Sequence, residues 1–139
     1  MPNIDYNRPN KARQYISITK HQSIAVNKYS KWINVAIERA VFDNADNGTL
    51  DQSQGIAWLD STGNMWGFLQ HFAVIGLNGE QFGFFDNPNN PALRWHGFPV
   101  IPFSNSRYSI NSELLERWVA EGVFDQDDIP VLLAKRRIK

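Results

Sequence analysis

The sequence predicts an α+β fold: an antiparallel β-meander of three to five strands, packed by one long N-terminal helix and followed by a C-terminal helix pair. Three observations carry this. The stretch from Gly55 to Phe85 reads as consecutive strands separated by turn residues, Ser61-Thr62-Gly63-Asn64 and Asn78-Gly79. An apolar stripe with helical spacing runs from Tyr29 to Val41. Two short amphipathic segments, divided by Gly122, close the chain.

Each element follows in order. Residues 1–20 carry Pro2, Pro9, several Asn and the cations Arg8, Lys11 and Arg13, which reads as an extended N-terminal arm. Its Tyr15-Ile16-Ser17-Ile18 tip can add an edge strand. Residues 21–139 then form a single α+β domain. In the first helix Tyr29, Trp32, Ile33, Ala36, Ile37, Ala40 and Val41 face one way, and Lys31, Asn34, Glu38 and Arg39 the other. Asn27 is placed to cap its start, and the helix is expected to stop near Asp43.

Strands follow at about 54–60, 65–77 and 80–86. Asn-Gly between apolar runs is a strong hairpin signal, because a type I′ turn needs positive φ at both central residues. A two-residue Asn78-Gly79 loop would pair Ile75 with Phe82, Ala73 with Phe84 and His71 with Asp86. Both faces of this sheet are apolar, so each needs a cover: the first helix on one side, the C-terminal helices or a partner on the other. Ala92 to Phe98 is a fourth strand, with Pro99 and Pro102 marking an edge. The second helix runs from about Ser112 to Glu121 on Leu114, Leu115, Trp118 and Val119, with a Glu113–Arg117 pair one turn apart. Asp127-Asp128 and Pro130 open a third, with Ile129, Leu132 and Leu133 inward.

Composition narrows the function classes. At 139 residues the chain can bury a core as one domain. Lys+Arg and Asp+Glu are equal at 14 each, so no global field steers it to nucleic acid or an anionic membrane. Cysteine is absent, which removes thiol catalysis, disulfides and thiolate metal sites. A polar start without a signal peptide, and no apolar run near membrane-span length, make a soluble cytoplasmic protein the expectation. Aromatic residues reach 13%, with five Trp and nine Phe, more than so small a core obviously accommodates.

Four constellations bear on chemistry. His71 beside Asp86 has the form of a carboxylate-oriented histidine, and with His96 it supplies a two-histidine, one-carboxylate set for a small hydrolase or nuclease. The simpler reading is a surface polar pair, and no metal or cofactor is assigned. Arg94, Trp95, His96 and Phe98, with Arg107 and Tyr108, form an aromatic–basic set of the kind that anchors protein interfaces. The loop Asp43 to Asp51 matches part of a calcium-loop pattern, with Asp43, Asn47, Gly48 and Asp51 at positions one, five, six and nine, but has Ala45 at position three and Gln54 in place of the final Glu. Lys135, Arg136, Arg137 and Lys139 offer a basic end for a nucleic-acid module, although cations also complement a helix C-terminus without any ligand. Phosphate-loop, nucleophile-elbow and zinc-protease motifs are absent. The expectation is therefore a small protein-binding protein of interaction, inhibitor or immunity type. It is not expected to be an enzyme; its partner would be another protein, and self-association is compatible.

Overall fold

A computed structural model describes residues 2–51 and 53–138. Its elements are two antiparallel sheets, of two and three strands, and three α-helices. The N-terminal segment packs as a hairpin. β1 (Ile4–Tyr6) pairs with β2 (Tyr15–Ser17), Ile4 opposite Ser17 and Tyr6 opposite Tyr15. Arg8, between them, is buried and reaches Asp43 and Asp46, each at 2.8 Å. Tyr15 is fully buried, its ring 4.5 Å from that of Phe42 and 5.7 Å from that of Phe85.

Helix α1 (Val35–Asn47) starts and ends later than its spacing predicts. Asn34 is the cap, accepting the Ile37 amide at 2.8 Å, and Gly48 at φ 67° ends the helix. Asn27 instead shapes a turn through the Tyr29 amide (2.9 Å), and Trp32 lies in extended backbone bridged to Gly76. The apolar stripe looks continuous because Trp32 and Ile33 precede the helix yet pack beside the same core. The helix is also rotated from expectation. Its buried side is Glu38, Val41, Phe42, Ala45 and Asp46, while Ala36 is exposed and Ile37 half-buried. Partners on the hairpin draw the acidic residues inward: Tyr15 and Ser17 for Glu38, Arg8 for Asp43 and Asp46. Asp43 to Asn47 are thus the last turn of a helix, which removes the calcium-loop reading. Phe42→Ala is expected to cost about 3–5 kcal/mol. Ile37→Ala should cost only about 1 kcal/mol, both read from urea denaturation.

The larger sheet has the order β3 (Met65–Gly67), β4 (Phe82–Asp86), β5 (His96–Val100). Its register differs from the predicted one. Phe84 faces Trp66 and Phe98, and Asp86 faces His96. The Ile75–Phe82, Ala73–Phe84 and His71–Asp86 pairs do not form. The chain reverses here, but not through a two-residue Asn78-Gly79 loop: the Gly79 amide donates to the Gly76 carbonyl across Leu77-Asn78, only Gly79 takes positive φ (88°), and the Ile75 and Gly76 amides both donate to the Glu80 carbonyl. The reversal is not extended into a ladder because both flanks are engaged elsewhere. Gly76 bridges Trp32, and the Gln81 side chain binds the Phe72 carbonyl and the backbone of Ile138. Upstream, Phe68 stacks on Trp58 at 4.9 Å, and the chain leaves the sheet through a 3₁₀ turn where His71 and Phe72 take positive φ. The predicted strand at 54–60 contracts to a bridge between Leu59 and Met65.

Both faces of the sheet are covered from within the chain. Trp66, Phe82, Phe84 and Val100 meet Leu114, Leu115 and Trp118 of α2 (Ser112–Ala120) and Leu132 of α3 (Asp128–Leu133). Met65 and Phe85 meet α1, Tyr15, Trp32 and Trp95. The helix α1 approaches closely at the cross-strand glycine pair Gly67–Gly83. A Cβ on Gly67 would lie 2.5 Å from the Val41 carbonyl oxygen, and one on Gly83 2.8 Å from the Trp32 ring. All five tryptophans are interior, the most exposed being Trp95 at 7%, so the aromatic content is absorbed by the core. Two details of the C-terminal helices differ from expectation: Arg117 pairs with Glu121 rather than Glu113, and Leu133 faces outward.

β5 lies at the sheet edge, as its prolines require, yet its outer side is occupied. The Trp95 amide donates to Gln14 and its carbonyl accepts from Ile16. The Gly97 carbonyl accepts the Trp32 indole N–H at 3.1 Å. Pro99 has no amide proton.

Candidate aromatic and cationic binding face

The predicted set Arg94, Trp95, His96, Phe98, Arg107, Tyr108 divides in two. Trp95 points into the α1 side of the core, with Arg13 5.8 Å from its ring. Arg94 turns to the N-terminal hairpin, pairing with Asp5 (3.1 Å) and Asn7 (3.1 Å). The other four converge. His96 and Phe98 alternate onto one face of β5, and the turn Ser106–Tyr108 brings up Arg107 and Tyr108, with the Asn105 side chain accepting the Arg107 amide at 2.9 Å.

Arg107 is the centre of this face. It forms an ion pair with Asp86 while its side chain stays 56% exposed. Its guanidinium lies 5.7 Å from the Phe84 ring, 5.7 Å from Tyr108 and 6.0 Å from Phe98. A cation over aromatic faces is attracted by the ring quadrupole. The Asp86 bond pushes the guanidinium pKa further up.

The face continues through His21, whose ring stacks on Phe98 at 4.8 Å and meets Tyr29 edge-on at 5.8 Å. Lys20 sits 4.6 Å over Tyr29. His21 is buried rather than solvated. Its Nδ1 lies 2.6 Å from the Ser30 carbonyl, so Nδ1 carries the proton. Burial pushes the pKa of His21 down, and nearby Lys20, His96 and Lys31 add to this against the Ser30 bond. Burial also pushes His96 down, against the pull of Asp86 and with smaller lowering effects of Lys20 and Arg107.

The residues missed from sequence, Lys20, His21 and Tyr29, had one available signal. Between Asp5 and Glu38 the chain has six Lys or Arg and no acidic residue, although its net charge is zero.

His71 does not join this site. It is exposed, beyond the end of β3 that adjoins Gly83, whereas Asp86 is at the other end of β4. The combined His71, Asp86 and His96 site is therefore not assembled. Asp86 is engaged by Arg107, and among the described residues no three His, Asp or Glu are grouped to hold a metal ion. The basic end is exposed at Lys135, Arg136 and Arg137, with Arg137 donating to the Gly79 carbonyl; Lys139 lies outside the described residues. Among the described residues no helix is long and apolar enough to cross a membrane. Compared with known families, curated proteins and solved structures, the chain shows no match.

Proposed function

We propose that this is a protein-binding protein whose face around Arg107 docks an acidic segment of a partner. One observation carries the reading: an exposed guanidinium, held by Asp86, within about 6 Å of three aromatic rings. Pre-positioned arginine and aromatic side chains lose little entropy on binding and supply both area and directional donors. Lys20 and the half-exposed Tyr29 extend the face, adding positive charge and apolar surface. This combination favours an acidic partner segment with its own apolar anchors. The interior position of every tryptophan removes the earlier argument from aromatic excess, so the proposal rests on this face alone.

A photo-crosslinking side chain at Tyr29 or Tyr108, with one at exposed Leu77 as control, tests it in the native cell. The expected result is a single adduct from positions 29 and 108, absent from 77, whose crosslinked peptide is acidic by mass spectrometry. With that peptide in hand, Arg107→Glu should weaken binding by roughly 2 kcal/mol or more while leaving the melting temperature near that of the unmodified chain. No adduct at either position, or unchanged affinity in Arg107→Glu, would overturn the assignment.

A further inference from the structure

A second feature lies at the basic end of the chain and is independent of the Arg107 face. Lys135, Arg136 and Arg137 follow α3, where cations commonly serve the last carbonyls of a helix. Here those carbonyls are already taken. The Ala134 amide donates to Pro130 at 3.0 Å, the Lys135 amide to Leu132 at 2.8 Å and the Arg136 amide to Val131 at 3.1 Å. Lys135 takes the left-handed conformation, φ 60°, that this kind of helix end requires and that glycine adopts at lower cost. Three residues on, Ile138 is buried, its amide and carbonyl both bound by the Gln81 side chain at 2.9 and 2.7 Å. The three cations are thus fixed between two anchors.

All three are exposed and line a pocket of about 60 Å³. Arg137 lies against its Gly79 wall: Nε donates to the Gly79 carbonyl at 3.2 Å, and the guanidinium fills the space that a Cβ on Gly79 would need. Among the described residues none of the three forms an ion pair, whereas Arg8, Arg13, Arg94, Arg107 and Arg117 each hold a carboxylate. The one carboxylate of the wall, Glu80, is buried, and its Oε1 accepts the Asn78 amide at 3.0 Å. Three cations against that single carboxylate leave two positive charges uncompensated.

We propose that this pocket binds the dianionic phosphoryl group of a small phosphate monoester, whose organic part rests on Ile101, 40% exposed at the pocket wall. The arginine fork matches phosphate oxygens two at a time, and lysine adds a point charge. The volume corresponds to about two waters, enough for the phosphoryl group but not for the rest of the ester. Cations held in place before binding lose little entropy on contact. A carboxylate or a phosphodiester carries a single charge and would leave one cation unanswered.

The test titrates phenyl phosphate into the full chain at pH 8, where the ester is dianionic, at constant ionic strength. The backbone amide resonances of Gly79, Arg136 and Ile138 report the pocket, and that of Tyr108 reports the Arg107 face. Saturable shifts are expected in the first set and not at Tyr108. Inorganic phosphate should saturate the same amides, and singly charged dimethyl phosphate should bind about tenfold more weakly. In Lys135→Gly binding should weaken about tenfold while the melting temperature stays level or rises, because glycine suits the positive φ. Arg136→Gln, which removes no contact of the fold, should weaken binding to a similar degree. No saturation with phenyl phosphate, shifts confined to Tyr108, or undiminished binding in both variants would overturn the proposal. So would failure of inorganic phosphate, which would assign the binding to the phenyl ring, or equal affinity for dimethyl phosphate.

Discussion

Replacing Arg8 by alanine should destabilise the protein by about 3–5 kcal/mol, measured as a lower urea midpoint at pH 7. The Arg8 side chain is 3% exposed and joins two carboxylates of α1, Asp43 at 2.8 Å and Asp46 at 2.8 Å. It also donates to the Arg13 carbonyl at 2.6 Å and lies 4.9 Å over the Phe42 ring. The loss would arise less from a favourable pair being deleted than from a buried Asp46, itself 7% exposed, left with Arg13 alone. Removing one partner of a buried pair strands the other charge in a poor solvent. Arg94→Ala is the matched control. Its pair with Asp5 has side chains 38% and 55% exposed, so its loss should cost under about 1 kcal/mol. Equal losses from the two variants would show that the hairpin is not held by Arg8.

The contribution of Glu38 to stability should fall by up to about 3 kcal/mol as the pH rises from about 4.5 to 7. The sign follows from proton binding. The carboxyl is raised from an ordinary 4.5 to about 7 in the folded protein. Between those values the folded chain holds a proton that the unfolded chain has released. Folding is therefore favoured at and below pH 4.5, and that contribution is lost as pH climbs through 7. The desolvated carboxylate is the dominant cause. Glu38→Gln cannot ionise, so its stability relative to the unmodified chain should rise across this window, the titrations of His21 and His96 being common to both and cancelling in the difference. Denaturant midpoints at pH 5, 6, 7 and 8 measure this. A difference between the two chains that stays constant from pH 5 to 8 would show that Glu38 is solvated.

Much of the architecture was legible in the residues. The C-terminal helices follow from Leu114, Leu115 and Trp118 with Gly122 behind them, and Gly122 does take positive φ. The expectation that both sheet faces need a cover is met by α1 on one side and α2 with α3 on the other. What was not legible was long-range. Glu38, Asp43 and Asp46 read as solvent-facing until Tyr15, Ser17 and Arg8, over 20 residues away in sequence, supply partners. The Asn78-Gly79 pair specifies a local reversal, but turn chemistry does not say how far a ladder runs. Gln81 and Trp32 decide that through contacts with Ile138 and Gly76. The binding face was half legible. His96, Phe98, Arg107 and Tyr108 lie together, whereas Trp95 goes to the opposite face, as alternate residues of an extended chain do, and Arg94, ahead of β5, is drawn away by Asp5 and Asn7. His21 and Tyr29 come from a segment whose position against β5 no local pattern encodes.

The saturated outer side of β5 bears on what this protein can become at high concentration. A bare strand edge is a template on which a second chain can lay its own backbone, the first step towards domain swapping and fibre growth. Here that template is blocked by three different devices. An indole is spent on Gly97, proline replaces a donor at position 99, and a single parallel bridge from Tyr15 covers Trp95. Because Tyr15 both bridges Trp95 and donates its hydroxyl to Glu38, unpeeling the N-terminal hairpin would unmask the edge and the Glu38 carboxylate together. Slow self-assembly, if seeded, should therefore begin from molecules whose first seventeen residues have come away, and a truncation lacking them should be the form that gels.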